Sequence, residues 1–237
     1  MKFAQPLVEA TLLKRQFGFL AEVALSNKTR RMIYCPTLLP LNHCAVLGSR
    51  LWFSKAHLGF SACLDTWTLT EIDQGFLVNM NPVYTKILVR EAALQGKIAE
   101  LAGYHCLQQS LSPSVGIGLE LFWQENGAQC FVHMEPVWAD QNHHYLSQEQ
   151  QSIGMNTLKD LMAVRRMGHK AVLLYCVQQM GVTSLCVAQR LNANYQKLLQ
   201  EAIDQGVCVL AYGVSISLEG MSLDRPLSLA WSEGVAL

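Results

Sequence analysis

Apolar positions come in short bursts through the first third of the chain and at helical spacing after it. Residues 7–15, 17–25 and 29–35 are rich in Leu, β-branched and aromatic side chains, with Ser26-Asn27-Lys28 as a turn between the second and third. Residues 50–54, 66–72 and 76–79 read the same way. Five or six closely spaced strands predict a small barrel. From residue 82 the period changes. Val83, Ile87, Leu94, Ile98 and Leu101 recur at three-, four- and seven-residue steps, which predicts a helix over 82–101 stopped by Gly103.

Two further apolar runs, 118–124 and 129–137, flank Glu125-Asn126-Gly127-Ala128, and Asn-Gly between such runs is a hairpin signal. The second run alternates: Cys130, Val132 and Met134 on one face, Phe131, His133 and Glu135 on the other. A helix over 152–167 ends at Gly168. Residues 170–177 form an apolar run of the kind buried on both faces of a sheet. A helix capped by Asn192 lines up Tyr195, Leu198, Leu199, Ala202 and Ile203, stops at Gly206 and leads into a strand over 207–212. The pattern predicts two domains: an OB-like β-barrel over 1–81 and an α/β domain with a mixed sheet over 82–237.

Composition narrows the function classes. Apolar residues make up 51% and charged residues 15% of the 237, so the core is ample without disulfides or metal. The longest apolar runs, such as 171–177, fall far short of the roughly 20 residues a bilayer span needs, and no apolar h-region precedes Glu9. A cytoplasmic protein with no membrane partner is expected. The eight cysteines include no C-x-x-C pair and sit mostly in apolar runs, as buried thiols do. The formal charge is zero, yet it divides into +3 over 1–80 and −3 over 81–237. Arg165-Arg166 suits the negative end of a helix. Asp140-Gln141-Asn142-His143-His144-Tyr145 reads as an exposed loop.

The order of several short stretches carries a resemblance. Ala10-Thr11-Leu12, Phe19-Leu20-Ala21-Glu22-Val23, Tyr34-Cys35-Pro36, Thr66-Trp67, Glu91-Ala92, Glu100-Leu101-Ala102-Gly103-Tyr104, Leu158-Lys159-Asp160-Leu161-Met162, Leu210-Ala211-Tyr212 and Glu219-Gly220-Met221 follow one another along nearly the whole chain. In this order they resemble the bacterial sugar fermentation stimulation protein A family. The resemblance implies an OB-like barrel followed by a restriction-endonuclease-like domain, DNA as partner, and an effect on sugar-utilisation genes. It also implies a metal-dependent nuclease motif, with an Asp on one strand and Glu-x-Lys on the next.

Against that pattern the chain departs at its polar positions. The first acid falls on Glu120 if one residue is deleted in the following loop, and on Leu119 otherwise; the Glu of the pair falls on His133 and the Lys on Glu135. A family Thr-Glu-Arg-Gly-Gln-Lys-His stretch becomes Gln151-Ser152-Ile153-Gly154-Met155-Asn156-Thr157, in which only Gly154 survives. A family Asp before the last helix is Asn192. Cys-Pro-Asn-Thr-Gly becomes Cys35-Pro36-Thr37-Leu38-Leu39, and a basic stretch becomes residues 59–65. The expected reading is a DNA-binding protein without nuclease activity, a pseudoenzyme that needs no cofactor. Phosphate contacts would come from Arg30, Arg31 and Arg50, with Trp52 and Phe53 to stack on bases. Two alternatives stay open. One is a non-enzymatic interaction module or homodimer, favoured by the low charge. The other is a nuclease whose divalent metal (Mn, Fe or Zn) is held by Glu120, His133 and Glu135.

Overall fold

The computed structural model describes residues 1–37, 44–56, 64–106, 119–124, 126–140, 143–144, 148–187 and 192–231. The chain divides into two compact units. The first is Met1–Tyr84 with Gln178–Gly181 and Val214–Ser222, and the second is Thr85–Val177, Val182–Gly213 and Leu223–Leu237.

In the first unit, β1 (Val8–Gln16), β2 (Leu20–Ala24), β3 (Arg30–Tyr34), β4 (Arg50–Ser54), β5 (Thr66–Ile72) and β6 (Phe76–Asn79) form one sheet. The order is β3-β2-β1-β4-β5-β6, and a parallel pairing of Tyr34 with Thr66 joins β3 to β5. That pairing closes five strands into the expected OB-like barrel, which removes the exposed edges of its sheet. Alternate side chains fill the interior. Leu12, Ala21, Val23, Ile33, Leu51, Phe53, Trp67 and Leu69 are all buried. The turn after β2 forms where Ser26-Asn27-Lys28 predicts it, with Asn27 Oδ1 accepting from Thr29 N–H at 3.0 Å. Residues 17–19 form a turn instead of opening the second strand, because Phe17 and Gly18 adopt φ of 52° and 78°, outside the extended region.

A helix, α1 (Tyr84–Leu94), follows, and it is shorter than its periodicity suggests. Gly96 at φ 70° ends it: Gly96 N–H donates to Ala93 O and Lys97 N–H to Ala92 O. The apolar residues beyond belong to a separate 3₁₀ turn, Ala99–Leu101. In the second unit come β7 (His105–Cys106), β8 (Leu119–Trp123), β9 (Gln129–Val137), β10 (Ala139–Asp140), β11 (His143–His144) and α2 (Gln148–Arg166). They are followed by β12 (Lys170–Val177), β13 (Ser184–Val187), α3 (Ala193–Asp204), β14 (Cys208–Ile216), β15 (Met221–Pro226) and β16 (Ser228–Trp231), of which the end of β14 from Val214 and the start of β15 through Ser222 belong to the first unit.

The main sheet runs β15-β14-β12-β9-β8-β7. β12 is parallel to both β9 and β14, while β8 and β7 are antiparallel additions, so the sheet is mixed as expected. Every residue of β12 after Lys170 is buried, as a central strand covered on both faces must be. Ala171, Leu173, Tyr175 and Val177 pack with Leu158, Leu161 and Met162 of α2 and Leu199 and Ala202 of α3. Asn192 caps α3 as predicted, its Oδ1 accepting from Tyr195 N–H at 2.8 Å. Arg165 donates to His169 O and Gln205 O, carbonyls that follow α2 and α3. A smaller sheet, β10-β11-β13-β16, has no counterpart in the sequence reading. His143 and His144 lie in it, paired with Asp140 and Ala139, so these residues of the expected loop are in short strands. Among the described residues no helix is long and apolar enough to cross a membrane.

Candidate functional site

The hairpin β8–β9 carries the positions where the resemblance puts nuclease chemistry. Its connection is not a two-residue Asn-Gly turn. Gln124 N–H donates to Ala128 O, Trp123 pairs with Gln129, and Gly127 takes φ 84°. From there the register runs outward: Phe122 with Cys130, Leu121 with Phe131, Glu120 with Val132, Leu119 with His133. Paired residues share a face of the sheet and neighbours alternate. Leu119, His133 and Glu135 therefore lie on one face and Glu120 on the other. Three residues grouped as one candidate site are split by the sheet itself.

Glu120 is only 7% exposed and is met from α1 by two cations. Lys86 Nζ lies 3.1 Å from Oε1, and Arg90 Nη2 donates to Oε2. Burial would raise its pKa, but hydrogen bonds and charge from Arg90 and Lys86 prevail and hold it below the ordinary carboxylate value. Both carboxylate oxygens are engaged, so Glu120 serves as a buried counter-ion.

The other face belongs to α2 and α3. Here His133 Nε2 sits 2.9 Å from Glu135 Oε2, both side chains mostly buried. His133 Nδ1 has no hydrogen-bond partner among the described residues. Tyr175 is the parallel-strand partner of Glu135, and its phenol and that of Tyr195 act on each other. Burial pushes Tyr195 up to about 12 and Tyr175 well above its ordinary value; the Glu135 charge pushes both the same way, so both phenols stay neutral. Gly154 of α2 belongs to this cluster. A Cβ there would come within 2.8 Å of the Tyr195 ring. The one surviving residue of its family stretch is thus explained by packing.

This donor set does not suit a metal ion. A divalent cation needs several oxygen or nitrogen ligands converging from one side. On the His133 face, β8 offers Leu119, and Glu135 is occupied by His133. Among the described residues no three His, Cys, Asp or Glu side chains are placed to hold a metal. Sequence reasoning left Leu119 and Glu120 open for the position facing His133, and the register decides for Leu119; it missed Lys86, Arg90, Tyr175 and Tyr195. Counting strand pairs outward from the hairpin would have chosen between the two, had the connection length been known.

The barrel residues singled out for phosphate are largely engaged within the unit. Arg50 grips Glu9 through Nε (2.8 Å) and Nη2 (2.7 Å), and its Nη1 is 3.2 Å from Glu71. Arg31 pairs with Asp65 at 2.7 Å and Arg30 with Glu22 at 3.2 Å. Trp52 is 4% exposed and lies under the Arg50 guanidinium at 4.8 Å, while Phe53 is fully buried. Neither ring faces solvent, which corrects their expected role in stacking. Alternation puts Phe53 inward, and Arg50 covers Trp52. Cys35, Cys130, Cys176 and Cys208 are free thiols, and burial pushes Cys130 up to about 12, so it stays protonated and unreactive. The departures at 38–39 and 59–63 lie outside the described residues.

Comparison with known proteins gives a consistent result. Residues 84–220 match the family model described as "Sugar fermentation stimulation protein RE domain". Two sugar fermentation stimulation protein homologs, from two strains of Pseudomonas aeruginosa, are each 35% identical over 232 residues, covering 96% of this chain and 98% of theirs. The solved structure of the Pyrococcus furiosus protein of that family, in complex with Ca2+, superposes with a TM-score of 0.81 at 18% identity, covering 97% of this chain and 98% of that one, which establishes the fold. With its OB-like barrel and its restriction-endonuclease-like domain, the chain belongs to the sugar fermentation stimulation protein family.

Proposed function

We propose that this protein binds DNA and does not cut it. The observation that carries the second half is the register of β8 on β9. A nuclease of this fold needs an acid on the first strand facing an acid and a lysine on the second. Here the facing residue is Leu119, the acid position holds His133, and the lysine position holds Glu135, leaving no cation to stabilise a pentavalent phosphate. Glu120 cannot substitute from the far side of the sheet while Arg90 and Lys86 hold it. The Pyrococcus furiosus protein is described with Ca2+, but this donor set gives no ground for carrying that ion over. Binding rests on the family and on the cationic excess of the first 80 residues.

Two measurements test the reading. Anisotropy of a labelled oligonucleotide across a salt series should show affinity falling as salt rises; a flat response removes phosphate contacts. Incubation of supercoiled plasmid with Mg2+ or Mn2+ should give no cleavage above the level of Glu120→Ala. Metal-dependent cleavage that this variant abolishes would restore the nuclease reading.

A further inference from the structure

The tip of the β1–β2 hairpin is built against its own local preference. Gln16 pairs with Leu20, so the tip is Phe17-Gly18-Phe19. Phe17 stands at φ 52° and Gly18 at φ 78°. Asn, Asp or Gly are the residues that occupy successive positive-φ positions at least cost, and a bulky aromatic there is strained. Such strain is normally offset by burial. Phe17 has none, being 80% exposed, and Phe19 beside it is 43% exposed, the two ring centroids 6.2 Å apart. Arg15 Nη2 donates to Gly18 O at 2.9 Å and so braces the tip from β1.

The register extends this exposed surface across the strands. Tyr34 of β3, 41% exposed, pairs with Leu20 immediately after the tip, and Met32, 38% exposed, pairs with Glu22. Lys14 of β1 also pairs with Glu22. Charge points the same way. Residues 8–37, which span β1 to β3, contain Lys14, Arg15, Lys28, Arg30 and Arg31 against two carboxylates, Glu9 and Glu22. The +3 of the first 80 residues is therefore concentrated in these three strands. Exposed rings interleaved with cations suit a polymer that offers flat bases and phosphates together.

We infer that the β1–β2 hairpin tip with the outward face of β2 and β3 binds single-stranded nucleic acid, with Phe17, Phe19 and Tyr34 stacking on bases and with Lys14 and Arg30, whose exposed pair with Glu22 a phosphate can replace, meeting phosphates. This rests on the DNA-binding reading above and moves its centre from Arg50 and Trp52 to the hairpin tip. Duplex DNA, whose bases are already stacked, binds more weakly there.

The test uses the full chain with a labelled oligo-dT 20-mer and the matching duplex at low salt, and compares wild type with Phe17→Asn and Tyr34→Leu. Each substitution is expected to weaken single-strand binding about tenfold while changing duplex binding little. Phe17→Asn should leave the melting temperature unchanged or raise it, since Asn tolerates the backbone that Phe strains. A fall in melting temperature with unchanged affinity would make Phe17 structural and overturn the inference. If wild type binds oligo-dT and both variants bind equally well, the inference fails and the DNA-binding reading stands. If wild type binds no DNA, both fall together. If the variants instead abolish self-association in sedimentation without changing oligo-dT binding, the occupant of this face is a second copy and the inference is overturned.

Discussion

Two exposed-to-core boundaries of the molecule treat polar chemistry in opposite ways. On the hairpin β8–β9, the carboxylates that resemble catalytic machinery are satisfied internally. Glu120 is held by Lys86 and Arg90, and Glu135 by His133. On the hairpin β1–β2, two phenylalanines stand in solvent, and Phe17 does so on a backbone conformation that disfavours it. Internal satisfaction makes a stable fold but leaves little to offer a ligand. Unreturned strain and exposed rings cost the isolated fold something, and a ligand is the simplest recipient. The difference teaches where to look: the inherited site is the quieter of the two.

Substitutions can break this comparison, and the largest effect should come from Gly154. Valine there must push into the Tyr195 ring, so Gly154→Val should lower stability by about 2–3 kcal/mol in urea denaturation. A variant as stable as wild type would mean that the tyrosine cluster is loosely packed and open to a ligand. Next comes Glu120→Gln, expected to cost about 2 kcal/mol, less than for a fully buried pair because Lys86 and Arg90 retain water. The sign with pH follows from the depressed pKa. The Glu120 contribution is complete above the ordinary value of 4.5 and is lost as pH falls through the lower folded value. Acid titration of Glu120→Gln should therefore show a shallower stability loss below about pH 4.5 than wild type. An equally steep loss would place the acid sensitivity elsewhere.

Smaller effects sharpen the other half. Phe17→Asn should be the one substitution of the set that stabilises, by about 1 kcal/mol, seen as a higher urea midpoint. Destabilisation would show that the exposed ring packs in solution. Arg50→Ala should leave the midpoint nearly unchanged, because its exposed pairs with Glu9 and Glu71 are screened by water. If it weakened oligonucleotide binding as much as Phe17→Asn does, the binding surface would extend to β4.

Much of the architecture was legible in one dimension. β4, β5 and β6 begin and end where their apolar runs do, and Asn192, Gly168 and Gly206 mark helix ends through local hydrogen bonds alone. These features depend on side chains within a few residues of one another. Helix α1 was misread because Val83, Ile87, Leu94, Ile98 and Leu101 keep helical spacing across Gly96, whose positive φ the periodicity does not register.

The candidate site was legible only as a set of residue types. Alternation along β9 correctly put His133 and Glu135 on one face, since a strand has period two. Whether Glu120 joined them depended on β8, and there one residue decides. A two-residue Asn-Gly turn would have paired Glu120 with His133. The observed connection pairs Leu119 with it, and a slip of one residue turns every side chain over. The cations that claim Glu120, and the tyrosine that explains Gly154, come from distant parts of the chain. By itself the sequence determined the family, the barrel, the mixed sheet and most element ends, because those follow from local pattern. Only the tertiary structure decided which groups meet, because that depends on strand register and on contacts between residues far apart in the chain.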